Sequence, residues 1–558
     1  MYIDQIGELL AQHVPCDKEE IKALLVKSDS KEHGDFAFPC FPLAKKLRKA
    51  PAAIAAELAE KITLPDCFSK CENVGPYLNF FVDQAHFNGY VIGEISEKKD
   101  RYGSSGIGEG RACLLEHTSI NPNASPHIGR ARNAIVGDFV GRLLKFEGYD
   151  VKVHYFVNDI GKQISMLVLG AGEREEVKFE DLLSLYVDIN NRVKEDPELE
   201  KQVFDLLYQL ENGDEAVRKR FRQIVDVCIK GQTAIFNELG IFYDCFDYES
   251  QFLFDNSLED IIRQLLDKGL VFEDDLGRYV VNLEKYGLSP LVITRADKTS
   301  LYPLRDIAYT IWKCNHNADK NIIILGQDQE LYFKQIAAIV TELGHRPPEV
   351  VHYSFVMLVD GKMSTRQGTV VLLEDFMREA VNKADEGIME RGEQSDPERA
   401  KRIAYGAVKY SMEKTSNERN VIFDWDKALS FDGDTGPYIL YSYVRINSIL
   451  KKCGADTADL SGTVDYSLLS LEAENDLITQ LYAFPDVIQK AAREFSPHVI
   501  THYIFDLAKK FSVFYRECSV MNAEDTQLKN ARIKLILSVR QVLENAFGII
   551  GMETVEHM

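Results

Sequence analysis

The chain has 558 residues, 45% hydrophobic and 27% charged, which is long enough for several globular domains. No run of about 18 uninterrupted apolar residues occurs, which argues against a membrane-spanning helix. The net charge of −22 argues against nonspecific attraction to nucleic acid but leaves room for a specific RNA held by local basic faces.

Residues 2–13 and 42–62 carry apolar positions at helical spacing. The first of these opens with acidic residues, unlike a signal or transit peptide. Short extended runs follow near 70–83, and Gly103-Ser104-Ser105-Gly106-Ile107-Gly108 reads as a linker. The ten cysteines are scattered, and only Cys67 and Cys71 are close. No zinc quartet forms from that spacing, so no metal site is expected and the thiols read as reduced.

A different pattern begins at Arg111. Ala112–His117 is a short buried-strand signal, and Thr118–Pro126 is a polar loop. Residues 127–146 place Ile128, Ala131, Ile135, Phe139 and Leu143 at helical spacing, with Gly148 as a stop. Val151–Val157 is the next strand. Strand, loop, helix, strand is the opening of a parallel nucleotide-binding fold. His127-Ile128-Gly129-Arg130 sits where the first strand hands over to the helix. Free N–H groups and the positive dipole end favour phosphate there. His127 can donate to a phosphate oxygen, Gly129 lets a flat ring approach the backbone, and Arg130 and Arg132 add positive charge.

Residues 165–265 are charged and helical in pattern, like an insertion. Strand signals return at Tyr279–Leu283, Leu291–Thr294, Asn321–Leu325 and Val350–Leu358, with helical runs near 305–316 and 329–343. After about residue 375 the chain reads as nearly all helical. Two basic clusters, Lys45–Lys49 and Val217–Arg222, read first as solvated helix faces.

The run from Glu116 to Asn133 resembles the HIGH region of arginyl-tRNA synthetases, in the version whose fourth HIGH position is arginine, here Arg130. Gly361-Lys362-Met363-Ser364-Thr365-Arg366-Gln367-Gly368 resembles the KMSKS loop of class I synthetases. Gly34–Phe38 with Leu43–Leu47, and Val74–Phe80, resemble the N-terminal domain of the arginyl enzymes. Gly436–Arg445 resembles the opening helix of their anticodon-binding bundle.

That resemblance implies a multidomain α/β plus all-α protein. It would have a class I Rossmann-like catalytic core with a parallel sheet, a small N-terminal α+β domain and a C-terminal helical bundle. The expected divisions are a tRNA-elbow-contacting domain at 1–105, a catalytic domain at 106–375 and a helical stem with anticodon-binding domain at 376–558. The implied activity joins L-arginine to tRNA(Arg) with ATP, as its Mg2+ complex, and needs tRNA for activation. A cytoplasmic monomer is expected.

Residue by residue, the resemblance places ATP against His127, Gly129, Arg130, Lys362, Met363 and Ser364. A guanidinium group is planar with five donors and calls for fixed carboxylates. Tyr302 and Asp306, four apart on one helix face, would contact the substrate side chain. Glu116 and Asn121 would hold the side chain and the α-amino group, and Gln329, or Gln327 by an offset, would complete the pocket. Tyr441 and Arg445 suit stacking on unpaired anticodon bases. Thr365 stands where the family pattern has a second lysine, and Asn123–Pro126 holds no substitute. Arg366, Lys362 and Arg130 are the candidate cations. Three alternatives stay open on the sequence: a nucleotidyltransferase, a synthetase for another amino acid, and an RNA-binding relative without activity.

Overall fold

An apolar run without alternation suits a strand covered on both faces. Ala112–Glu116 is one, with Cys113, Leu114 and Leu115 buried. The computed structural model describes residues 2–28, 33–174, 176–359, 371–454, 464–523 and 525–558. In it this strand is the centre of a five-stranded, wholly parallel sheet. The order across the sheet is Glu349–Tyr353, Lys320–Gly326, Ala112–Glu116, Asp150–Val157, Cys245–Tyr248. The chain builds outward to one side for its second and third strands, then returns to the other side for the last two. The reversal leaves a crevice at the carboxyl ends of Ala112–Glu116 and Lys320–Gly326, where doubly wound sheets bind their ligands.

Helix Ile128–Phe146 follows the central strand and buries Ile128, Ala131, Ile135, Phe139 and Leu143, the five expected positions. Gly137 lets it approach closely: a Cβ there would lie 2.2 Å from the His117 ring. Arg132 is fully buried, and its guanidinium donates to the carbonyls of Ser354 and Arg419 at 2.7 Å and of Ser416 at 2.9 Å. It clamps backbone and is not directed at phosphate, which corrects the expectation that it adds charge there.

Several strand and helix readings need correction. Cys245–Tyr248 lies inside the stretch read as a helical insertion yet is the sheet's third strand in chain order. The strand signals near 279 and 291 are real but belong elsewhere. Tyr279–Val281 and Leu291–Val292 join Val271–Glu273 in a separate three-stranded antiparallel sheet. The run Val350–Leu358 breaks at Ser354, whose carbonyl is held by Arg132; beyond it Val356–Leu358 pairs in parallel with Val421–Phe423. The helical run 42–62 is broken by Arg48 at φ 54, and Pro51 opens the second helix, Pro51–Lys61.

The described chain divides into two compact units that are discontinuous in sequence. One is Met1–Tyr102, Arg445–Ala483 and Lys509–Val542; the other is Gly103–Val444, Phe484–Ala508 and Leu543–Met558. The first unit contains a four-stranded antiparallel sheet, Val26–Lys27, Phe36–Pro39, Tyr77–Val82 and Phe68–Val74 in that order, over a core that includes Tyr2, Ile6, Phe38 and Phe80. Val74–Phe80 spans the hairpin between Phe68–Val74 and Tyr77–Val82, with Gly75 in its turn at φ 56. Gly34 is needed where it stands: its φ is 79, and a Cβ would lie 2.7 Å from the Phe80 carbonyl oxygen. In the same unit Arg532 donates to Glu474 at 2.7 Å in a buried ion pair. The ten cysteines are free, and no helix among the described residues is long and apolar enough to cross a membrane.

Candidate active site

A cavity of about 410 Å³ opens at the crevice of the parallel sheet. Its lining includes Glu116, Asn121, Arg130, Tyr302, Asp306 and Gln329, six of the residues singled out in the sequence. Glu116 arrives at the end of the central strand. Tyr302 and Asp306 come from one face of helix Tyr302–Cys314, and Gln329 from the turn that precedes helix Glu330–Glu342. Tyr302 is 55% exposed, so it is a wall of the cavity and not a core residue. Gln327 is instead tied to Ser354, whose hydroxyl donates to it at 2.9 Å, which favours Gln329 as the pocket glutamine.

The loop between strand and helix is held in an unusual backbone. Thr118 and Ser119 have φ 71 and 41, costly for residues with a Cβ and especially for a β-branched one. Four hydrogen bonds keep them there. Thr118 N–H donates to Asn133 at 2.5 Å, Tyr243 donates to the Thr118 hydroxyl at 2.9 Å, the His117 ring meets the same hydroxyl at 2.9 Å, and Phe156 N–H donates to the Ser119 hydroxyl at 3.0 Å. Burial pushes the His117 imidazole down to about 4, so it stays neutral. Asn121 donates to Gln163 at 3.3 Å at the cavity edge.

His127 caps helix Ile128–Phe146 from an extended backbone. Arg130 lines the cavity, whereas His127 and Gly129 are not among its lining residues. The His127 ring lies over Gly129, where a Cβ would come within 3.0 Å of it. Burial and the neighbouring Arg130 charge both push His127 below the usual histidine range, so at neutral pH it is an uncharged donor. The loop ahead of this helix is clamped to a later segment: Ile128 N–H donates to the Val371 carbonyl at 3.2 Å, and Leu373 N–H to Pro126 at 2.8 Å. Val371 follows Gly368 by three residues. Lys362, Met363, Ser364, Thr365 and Arg366 lie outside the described residues.

Asp306 is the partly exposed carboxylate of the cavity, accepting the Tyr332 hydroxyl. Its pKa is raised to about 6, chiefly by burial; Tyr332, Arg305 and Lys313 act against the rise, and Glu116 adds to it. Glu116 is engaged by a partner the sequence reading missed, Lys313. Tyr332, Phe156 and Tyr309 were missed too; the last two stack at 4.3 Å in the wall. The signal for Lys313 was there: it falls seven residues after Asp306, on the same helix face.

On helix Gly436–Cys453, Tyr441 and Arg445 are both partly exposed, four residues apart. The Arg445 guanidinium lies 4.6 Å from the ring centre of Tyr515, an exposed aromatic not anticipated.

The class is that of the class I aminoacyl-tRNA synthetases, whose catalytic-domain model spans the doubly wound sheet and the cavity at its reversal. The family model described as "tRNA synthetases class I (R), catalytic domain" matches residues 92–425, "Arginyl tRNA synthetase N terminal domain" matches 2–82, and "DALR anticodon binding domain" matches 439–558. The arginine–tRNA ligase of Clostridium perfringens (strain 13) is 37% identical over 569 residues, and that of Clostridium botulinum (strain Alaska E43) 36% over 572, each covering 100% of both chains. The arginyl-tRNA synthetase structure from Thermus thermophilus superimposes with a TM-score of 0.78 at 26% identity, over 100% of this chain and 98% of that one. The chain belongs to the arginyl-tRNA synthetase family.

Proposed function

We propose that the chain activates L-arginine with ATP and esterifies it to the 3′ end of tRNA(Arg). The observation that carries this reading is the cavity itself, where a carboxylate-bearing wall for a guanidinium meets the helix start that suits a nucleotide. In the first step the arginine carboxylate attacks the α-phosphorus, a new O–P bond forms, and pyrophosphate leaves with the electrons of the broken anhydride bond. In the second a terminal ribose hydroxyl of tRNA attacks the activated carbonyl, and AMP leaves.

In this reading Asp306 and Tyr302 recognise the guanidinium, Glu116 lies beside the substrate side chain, Asn121 holds the α-amino group, and Gln329 completes the pocket. His127, Gly129 and Arg130 take the nucleotide. Lys362, Met363 and Ser364 bring the second loop to the triphosphate, and Arg366 supplies the cation that Thr365 cannot. Charge building on pyrophosphate is stabilised by donors already in place. Magnesium enters as the ATP complex. Tyr441 and Arg445 face the anticodon, residues 1–105 face the tRNA elbow, and the protein works as a cytoplasmic monomer.

The long RNA-facing portions flanking one catalytic core lead to an expectation of coupling. Arginine-dependent ATP–pyrophosphate exchange should be negligible with ATP and arginine alone and robust once tRNA is added. Full exchange without RNA would contradict the coupling. Exchange driven by a different amino acid would contradict the arginine reading.

A further inference from the structure

Two carboxylates and a lysine share the inner wall of the cavity. Glu116 is 5% exposed and Lys313 1%, and they form an ion pair across 197 residues of sequence. The second oxygen of Glu116 accepts from the Ser119 hydroxyl at 3.3 Å. The Lys313 ammonium also sits 4.4 Å from the centre of the Tyr309 ring. Tyr309 is fixed in turn, donating to Asp247 at 2.9 Å, and His154 meets the same Asp247 oxygen at 2.8 Å. On the same helix Arg305 is committed to buried Glu249. Asp306 has the Tyr332 hydroxyl and forms no ion pair among the described residues. Arg130 and Asp328, also in the lining, carry opposite charges at more exposed positions.

We propose that Lys313 is a positioning residue of the arginine pocket: as the resident counter-ion of Glu116, it leaves Asp306 as the inner wall's one uncompensated carboxylate and fits that wall to a single guanidinium. The inference rests on the arginine reading of the cavity. A buried lysine beside a cation-binding site is otherwise a liability, because it repels the substrate it faces. Paired with Glu116 it has the opposite use. Without it, two carboxylates would line the same cavity with no cation between them, and the Glu116 charge would act unopposed against ionised Asp306. The groups facing Lys313 set the sign: Glu116 from the central strand, Asp306 and Tyr309 from its own helix. Behind them lie Tyr332 on Asp306, Glu249 on Arg305, and Asp247 with His154 on Tyr309. Losing the lysine removes a charge that favours ionised Asp306, so Asp306 would hold its proton to higher pH.

The test is steady-state aminoacylation by the full chain with L-arginine, ATP and tRNA, from pH 5.5 to 9, for wild type, Lys313→Met, Lys313→Arg, Glu116→Gln and the Lys313→Met/Glu116→Gln pair, with thermal melts. Lys313→Met should move the acid limb of kcat/KM up by about one pH unit, so that the arginine KM rises about twofold at pH 7 and about fivefold at pH 6, with the ATP KM nearly unchanged. Lys313→Arg should keep the limb in place. Glu116→Gln, which leaves the lysine unopposed, should raise the arginine KM and move the limb down. The double variant should recover arginine affinity relative to either single change, a non-additivity that marks a shared charge balance. An unmoved acid limb in Lys313→Met, or in Glu116→Gln if Lys313→Met does not fold, would overturn the proposal, as would strict additivity. A wild type that charges no arginine would overturn the functional reading itself, whereas these variant outcomes, in an active enzyme, reject only the role of Lys313.

Discussion

Asp306→Asn is expected to cut kcat/KM for arginine by about 10²-fold to a few times 10³-fold while the fold survives. Removing one partner of a buried charge pair costs roughly 3–5 kcal/mol, and about 1.36 kcal/mol is tenfold in rate. Asparagine keeps the shape and an acceptor for the Tyr332 hydroxyl, so the loss is one of charge. The same residue sets a pH dependence. Its carboxyl titrates at about 6 in the free enzyme, raised chiefly by burial. The ionised form binds the guanidinium, so arginine kcat/KM should fall as pH drops through about 6, and kcat/KM is the parameter that reports free-enzyme groups. In Asp306→Asn that limb should vanish. Citrulline, neutral and of equal length, sharpens the test. Wild type should reject it strongly, because it strands the carboxylate, and the variant should reject it less. If the arginine-to-citrulline ratio is unchanged, Asp306 is not the selective anion, and Glu116 takes its place as the first candidate.

The second large effect is expected at the helix start. His127→Ala should slow adenylate formation by about 10²-fold or more in single-turnover measurements, the range seen when one preorganised donor to developing charge is lost. The histidine is an uncharged donor at neutral pH, held over Gly129 at the first turn, so its contribution is a directed N–H more than a charge. Arg366→Ala should also slow adenylate formation while leaving arginine affinity nearly intact, the outcome expected of a cation proposed to act on the triphosphate. An unchanged activation rate in His127→Ala would remove that residue from the chemistry. A silent Arg366→Ala beside a crippled Lys362→Ala or Arg130→Ala would reassign the missing cation.

The parts of the site that the sequence revealed are those where one short segment carries its own signal. Ile128 to Leu143 kept helical period after an apolar strand, so the helix and its start at the strand's end were readable, and the family resemblance singled out Tyr302 and Asp306, whose spacing of four puts them on a common face. What stayed hidden depends on distant partners. Lys313 shares a helix face with Asp306, but its pairing with Glu116, 197 residues away in sequence, is in no local pattern. Arg132, two residues after Arg130, reads as another phosphate cation, and only the carbonyls of Ser354, Ser416 and Arg419 make it a clamp. The left-handed turn at Thr118 and Ser119 has no glycine to announce it; tertiary hydrogen bonds impose it. Cys245–Tyr248 is too short to show a period, and helices precede and follow it.

The most direct test of the central claim is transfer of labelled amino acid to tRNA by the purified chain, with each of the twenty amino acids offered separately with ATP. Arginine alone should become acid-precipitable on tRNA, on an arginine-accepting species, with one AMP released per aminoacyl ester. Charging with another amino acid, or no charging with arginine under conditions where the protein is folded, would contradict the account.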